Sequence, residues 1–164
     1  MKRTPLTSNG FDRLKEELHL LKTQERPAVI QAIAEARAHG DLSENAEYDA
    51  AKEKSGKTEA KIRYLEQRLA NSDIIDPRRL AQSDRVVFGV SVLLEDVDSG
   101  EQKRFSIVGA DEDDYTRGWI SIESPIAKAL IGKEVDDTVS VKLPAGMREY
   151  EVQEIYVDYE GAVA

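Results

Sequence analysis

Residues His39 to Ala50 read HGDLSENAEYDA, four carboxylates in twelve positions between two long stretches of helical periodicity. Upstream, Phe11, Leu14, Leu18 and Leu21 recur in steps of three and four, the spacing of a coiled-coil seam. The same register runs on through Glu25, Ala28, Ala32 and Glu35, where the strong hydrophobes give way to small or charged residues. Pro27 removes one backbone donor and is expected to bend this helix locally, because AVIQAIAEARA beyond it is rich in helix formers. Downstream, Tyr48, Ala51, Ser55, Thr58, Ile62, Leu65 and Leu69 keep the same alternation, with the large aliphatics now at the later end. A reversal near Gly40 to Ser43 brings the two aliphatic clusters together at the base of an antiparallel hairpin. The roughly 30 residues from Phe11 to Gly40, at ~1.5 Å each, make an arm of about 45 Å. Ala28, Ala32, Ser55, Gly56 and Thr58 at or beside the seam suit a slim rod, and equally a weak coiled coil that tolerates Ser and Thr.

Two readings of the opening stretch stand side by side. Asp41 before LSE has the D-x-x-E form of a helix N-cap, in which Asp41 takes a free N–H of the second helix and Glu44 bonds back. Glu47 then sits near the positive end of the helix dipole. Alternatively, Asp41 and Glu44 present oxygens to one side at the far end of the rod, enough to share a Mg²⁺ but not to enclose it. Such an incomplete site makes sense where a partner already carries metal and phosphate, as in two-metal phosphodiester chemistry. Lys52, Lys54, Lys57 and Lys61 place positive charge behind the tip, either as a solvated face balanced by Glu53 and Glu59 or as a track for nucleic acid. In the second case Lys52 is the one expected to touch phosphate.

After IIDPRR the period changes. RVVFGVSVLLED, EQKRFSIVG, GWISIES, TVSVKLP and MREYEVQEIYV are short, rich in Val, Ile and aromatics, and separated by turn signals such as DSG and PAG. They read as strands of a small sheet. Between them SPIAKALIG has Ser124 as N-cap, Pro125 at the first helical position and Gly132 as a stop, which defines one short helix. The acidic DEDD at Asp111 to Asp114 reads as a solvated loop. Asp76 and Pro77 mark the boundary between a hairpin domain, 1–76, and a sheet domain, 77–164.

Charge and composition narrow the function. The net charge of −9 is uneven: residues 1–76 hold 13 Lys and Arg against 14 Asp and Glu, a net of −1, and residues 77–164 hold 10 against 18, a net of −8. An acidic second half argues against duplex binding there and for a basic protein surface as partner. With no cysteine there are no disulfides, thiolate zinc sites or Cys nucleophiles, and with only His19 and His39 a His-rich metal site is not expected. Any metal should be a hard, oxygen-bound cation. Walker loops, dinucleotide-binding glycines, His-Glu zinc helices and serine elbows are absent. No apolar run approaches the ~18 residues of a membrane span and Met1 to Gly10 lacks a signal-like apolar core, so a cytoplasmic protein is expected.

ERPAV at Glu25 to Val29, ARAHGDLSENAEYDAAKE at Ala36 to Glu53, FGVSV at Phe88 to Val92, IVG at Ile107 to Gly109 and ISIESPIAKALIGKEVDDTV at Ile120 to Val139 resemble the bacterial Gre transcript-cleavage factors. The likeness runs in order along nearly the whole chain and is nearest to the GreA branch, since Lys52, Lys54 and Lys57 alternate with Glu53, Ser55 and Gly56 instead of forming the larger basic patch of the GreB branch. The resemblance implies an α+β protein: a coiled-coil hairpin followed by a small domain of the FK506-binding-protein type. It implies a monomeric cofactor, not an enzyme in its own right, whose hairpin enters the secondary channel of backtracked RNA polymerase. Asp41 and Glu44 would then help hold the second Mg²⁺ of the polymerase while that enzyme cuts the nascent RNA 3′ end. It also implies docking of the sheet domain on a coiled coil of the largest polymerase subunit, with Glu123, Ser124 and Pro125 near the contact.

Two rivals remain. A channel-binding inhibitor would share this architecture, but the resemblance gives inhibitory relatives a differently arranged, more acidic tip. A prolyl isomerase or chaperone would need an aromatic-lined pocket in the second half, which holds only Phe88, Phe105 and Trp119 as Phe and Trp.

Overall fold

The computed structural model describes residues 3–39, 46–80 and 84–157, without the side chains of Arg78 and Leu80. By compactness the chain divides into one unit at Asp12–Asn71, joined by Met1, and a second made of Lys2–Phe11 with Ser72–Ala164.

The first unit is the helical hairpin. Helix α1 (Ser8–Leu20) runs into a π-helical turn (Leu21–Glu25) and on into α2 (Arg26–Ala38); α3 (Ala46–Ala70) returns. Among the described residues, ion pairs tie the two arms: Glu17 to Lys61 at 2.9 Å, Lys22 to Glu66 at 2.7 Å, Glu25 to Lys54 at 3.3 Å and Arg26 to Glu59 at 2.8 Å. Glu17 and Lys22 on the first arm meet residues 61 and 66, whereas the later Glu25 and Arg26 meet the earlier residues 54 and 59, so the arms are antiparallel. Every position of the expected α3 seam is buried or half-buried, with Ala51, Thr58, Ile62 and Leu65 the most enclosed. Burying Ile62 and Leu65 contributes about 1.5–3 kcal/mol apiece.

The facing seam departs from expectation. Ala28, Ala32 and Glu35 are exposed, whereas Val29 and Ala36 are buried. The π-helical turn supplies the reason. Pro27 has no N–H for a helical bond to Thr23, and its ring crowds that carbonyl. Just before it, the Arg26 N–H reaches Leu21 O, five residues back, so one extra residue is absorbed and the apolar stripe advances by one position. Pro27 thus acts through helix phase.

The second unit holds two sheets. Strand β1 (Thr4–Thr7) pairs in parallel with β2 (Ser72–Ile75), Leu6 opposite Ile74. Neither strand is expected from the sequence. A five-stranded mixed sheet runs β5-β4-β3-β7-β6, from β3 (Ser91–Asp96), β4 (Gln102–Val108), β5 (Trp119–Ser121), β6 (Thr138–Leu143) and β7 (Gly146–Tyr156). Only β4 and β5 are parallel within it, and a bulge between Leu93 and Leu94 shifts the β3–β7 register. Helix α4 (Pro125–Leu130) packs Ala127 and Leu130 with Val92, Leu94, Ile107 and Val152 in the core. Before β5 the chain turns at Gly118, φ +75°, where a Cβ would stand 2.7 Å from Arg104 O.

Two expectations for this half need correction. Only the second part of RVVFGVSVLLED is strand: Val86 is buried and exchanges backbone bonds with Gly132 and Lys133, and the chain then turns at Gly89, φ +95°. The DEDD stretch is not simply solvated either, because Glu112 is buried within it.

Candidate functional site

The expected tip lies between the ends of α2 and α3. Asp41 and Glu44, on which both the cap and the metal readings rest, fall outside the described residues. Their chemistry, two carboxylates without an imidazole or thiolate between them, suits a hard divalent cation and leaves most of its shell to other ligands. Among the described residues no group of three or more His, Cys, Asp or Glu could hold a metal ion.

Both shoulders of the tip are described. Helix α2 closes at His39, whose N–H reaches Ala36 O at 3.2 Å. Across the reversal, Glu47 and Asp49 occupy the first turn of α3, where the dipole favours negative charge. Tyr48, half-buried at the seam, has cations at its ring: Lys52 Nζ lies 5.4 Å from the centroid and the Arg37 guanidinium carbon 6.0 Å. Lys52 is exposed and forms no ion pair among the described residues. Lys54, Lys57 and Lys61 are instead engaged with Glu25, Glu53 and Glu17. The four lysines therefore split: among the described residues Lys52 meets the Tyr48 ring, and the other three meet carboxylates. Arg37 was not singled out by the sequence reading; the signal was its place in the last turn of α2, facing a tyrosine only after the chain reverses.

Further down the hairpin, Arg26 Nε and Nη2 donate to the two carboxylate oxygens of Glu59 at 2.8 and 2.9 Å. This hydrogen-bonded pairing raises the Arg26 pKa and lowers that of Glu59. It braces the arms directly after the π-helical turn.

In the second unit the residues expected at the docking contact form a fixed corner. As β5 ends, the Ser124 N–H and hydroxyl both donate to Ser121 O, at 2.9 and 2.7 Å, and the Glu123 N–H donates to Ser121 Oγ at 3.1 Å. Ser124 Oγ accepts the Ala127 N–H at 3.2 Å, the N-cap expected from the sequence. Ser124 thus spends its side chain on shaping the corner, while Glu123 and Pro125 remain exposed. The aromatics that an isomerase pocket would need are committed elsewhere: Phe88 and Phe105 pack against the core, and Trp119 is 3% exposed, with the Arg117 guanidinium 4.9 Å from its ring centre.

A family profile described as "Transcription elongation factor, N-terminal" matches residues 4–74, and one described as "Transcription elongation factor, GreA/GreB, C-term" matches residues 81–157. Transcription elongation factor GreA of Alkalilimnicola ehrlichii is 52% identical over 155 residues, spanning 94% of this chain and 98% of that protein. The GreA of Ralstonia nicotianae is 54% identical over 155 residues, again 94% and 98%. Among solved structures, GreA factor homolog 1 of Thermus thermophilus is 29% identical and spans 94% of this chain and 99% of that one, with a TM-score of 0.44. At 52–54% identity over nearly the full length, with both halves matched in order, the chain belongs to the GreA/GreB family of transcription elongation factors.

Proposed function

We propose that this protein rescues RNA polymerase halted with its RNA 3′ end extruded, by stimulating the polymerase's own hydrolysis of that RNA. The observation that carries the reading is DLSE, placed between the antiparallel arms of a hairpin in a chain that belongs to the GreA/GreB family. The hairpin enters the secondary channel, and Asp41 and Glu44 add carboxylate oxygens to a Mg²⁺ site that the polymerase completes. When bound there, Mg²⁺ supplies Lewis-acid activation of the attacking water. Lys52, with Arg37 beside it, meets the RNA phosphates. The exposed Glu123 and Pro125, on the corner that Ser124 shapes, dock on the coiled coil of the largest subunit, where negative charge suits a basic surface. The protein acts as a monomer in the cytoplasm and supplies no complete active site of its own.

The test is a halted elongation complex with Mg²⁺, probed for short RNA 3′ products. The parent protein should generate them. Asp41→Asn and Glu44→Gln should fold and bind polymerase as the parent does, yet lose about a hundredfold or more in stimulated cleavage. Parent-like cleavage by both variants would sink the tip assignment.

A further inference from the structure

The second unit contains a buried carboxylate to which the cleavage reading gives no task. Glu112 is 6% exposed, in the acidic stretch Asp111 to Asp114. Its Oε2 accepts the Thr7 N–H at 3.1 Å and the Gly109 N–H at 2.7 Å, and its Oε1 accepts the Thr7 hydroxyl in a short bond. Thr7 Oγ1 in turn accepts the Gly10 N–H at 3.0 Å, capping the first turn of α1. Gly10 makes room for this: a Cβ there would overlap Glu112 Oε1 and Cδ. Gly10 is helical and needs no unusual φ, so the close approach, not backbone freedom, is what a side chain there would disturb.

We propose that Glu112 is a positioning residue for transcript cleavage, holding the first turn of α1, the helix by which the chain enters the hairpin. The proposal rests on the cleavage reading above. Burying a carboxylate is costly unless its oxygens are hydrogen-bonded, and an apolar side chain would fill the same space without that cost. What the carboxylate adds is direction. Three donors converge on it, two of them from Thr7, where β1 ends and α1 begins, and it lies at the positive end of the α1 dipole. A first turn held in one geometry starts α1 in one direction. A loosened first turn lets the tip miss its target in most encounters while the exposed corner at Glu123 and Pro125 is untouched.

The test uses the full chain on halted elongation complexes with Mg²⁺, measuring cleavage rate against factor concentration for the parent, Glu112→Ala, Gly10→Ala, Glu112→Gln and Asp41→Asn. Glu112→Ala and Gly10→Ala should lower the rate at saturation about tenfold or more, since small misplacement is costly to catalysis. The half-saturating concentration should stay within about threefold of the parent's, a split that a general loss of folded protein would not produce. Glu112→Gln should recover most of the rate, because its amide oxygen can take both backbone N–H groups and its NH₂ can donate to the Thr7 hydroxyl. Gly10→Ala also improves local helix propensity, so a helix-only account predicts no loss.

Parent-like saturating rates in folded Glu112→Ala and Gly10→Ala overturn the proposal. If neither folds, Thr7→Val, which replaces the hydroxyl by a methyl and so takes away both its bond to Glu112 and its cap on Gly10, decides in the same way: a reduced saturating rate upholds the proposal and a parent-like one overturns it. Parent-like cleavage by Asp41→Asn removes the tip reading alone, whereas a parent that yields no short 3′ products overturns both.

Discussion

Asp96, Glu112 and Asp114 in the sheet domain are held chiefly by hydroxyls and backbone N–H groups, and for Asp96 and Asp114 this determines what acid does to them. Asp96, at the end of β3, accepts the Asp98 and Ser99 N–H groups at 2.9 and 3.2 Å and lies 3.5 Å from Arg148. The bond from Ser99, then that from Asp98, with Arg148 adding its charge, lowers the Asp96 pKa. A carboxylate whose folded pKa is depressed stabilises the fold fully above its unfolded value, near 4, and loses that contribution as pH falls through the lower folded value. Asp96→Asn keeps an oxygen for the two N–H groups but not the charge. The gap between parent and variant in urea midpoint should therefore be widest near pH 7 and shrink below about pH 4. A gap independent of pH would show that ionisation of Asp96 contributes nothing. Asp114 follows the same logic, its pKa lowered first by the Thr116 hydroxyl at 2.6 Å. Asp96, beside DSG, announces a turn in the sequence. Glu112 does not announce its burial, because Thr7 lies 105 positions away.

The elements divide into those whose local pattern is self-sufficient and those whose geometry depends on something else. The α3 seam was legible at all seven positions because an uninterrupted helix keeps its phase. The α2 seam was not, because the π-helical turn before Pro27 adds one residue to the count. Val29→Asp should cost about 3 kcal/mol or more, since it buries an unpaired charge, while Ala28→Asp should cost less than about 1 kcal/mol. Thermal or urea unfolding of the two variants measures the difference, and the reverse order would restore the uninterrupted register. Strands β1 and β2 are not legible in the sequence because TPLT and SDII are four residues each, too short for alternation to show, and one contains proline. The α4 cap was legible because Ser124, Pro125 and Gly132 each act locally. The tip remains legible only as a motif, since Asp41 and Glu44 lie outside the described residues.

At the scale of the whole molecule, sequence order and compactness divide the chain differently. Periodicity changes near Asp76, but the ten residues from Lys2 to Phe11 cluster with Ser72–Ala164. The physical cause is the pairing of β1 with β2 together with the Glu112 bonds to Thr7, which leave Leu6 and Thr7 at 0% and 2% exposure. Strand β1 ends where α1 begins, and β2 starts two residues after α3 ends, so the parallel ladder ties the two ends of the hairpin sequence inside the sheet domain. Cooperative units open together in native-state hydrogen exchange. The amides of Leu6 and Thr7 should therefore share the protection and denaturant dependence of Val92 and Val152, not those of Ile62 and Leu65. Exchange of Leu6 and Thr7 in step with the hairpin helices would mean that β1 opens with the hairpin, so that the ladder does not hold while the hairpin unfolds. Exchange in step with the sheet means that the hairpin can unfold from its free end while β1 and β2 stay paired.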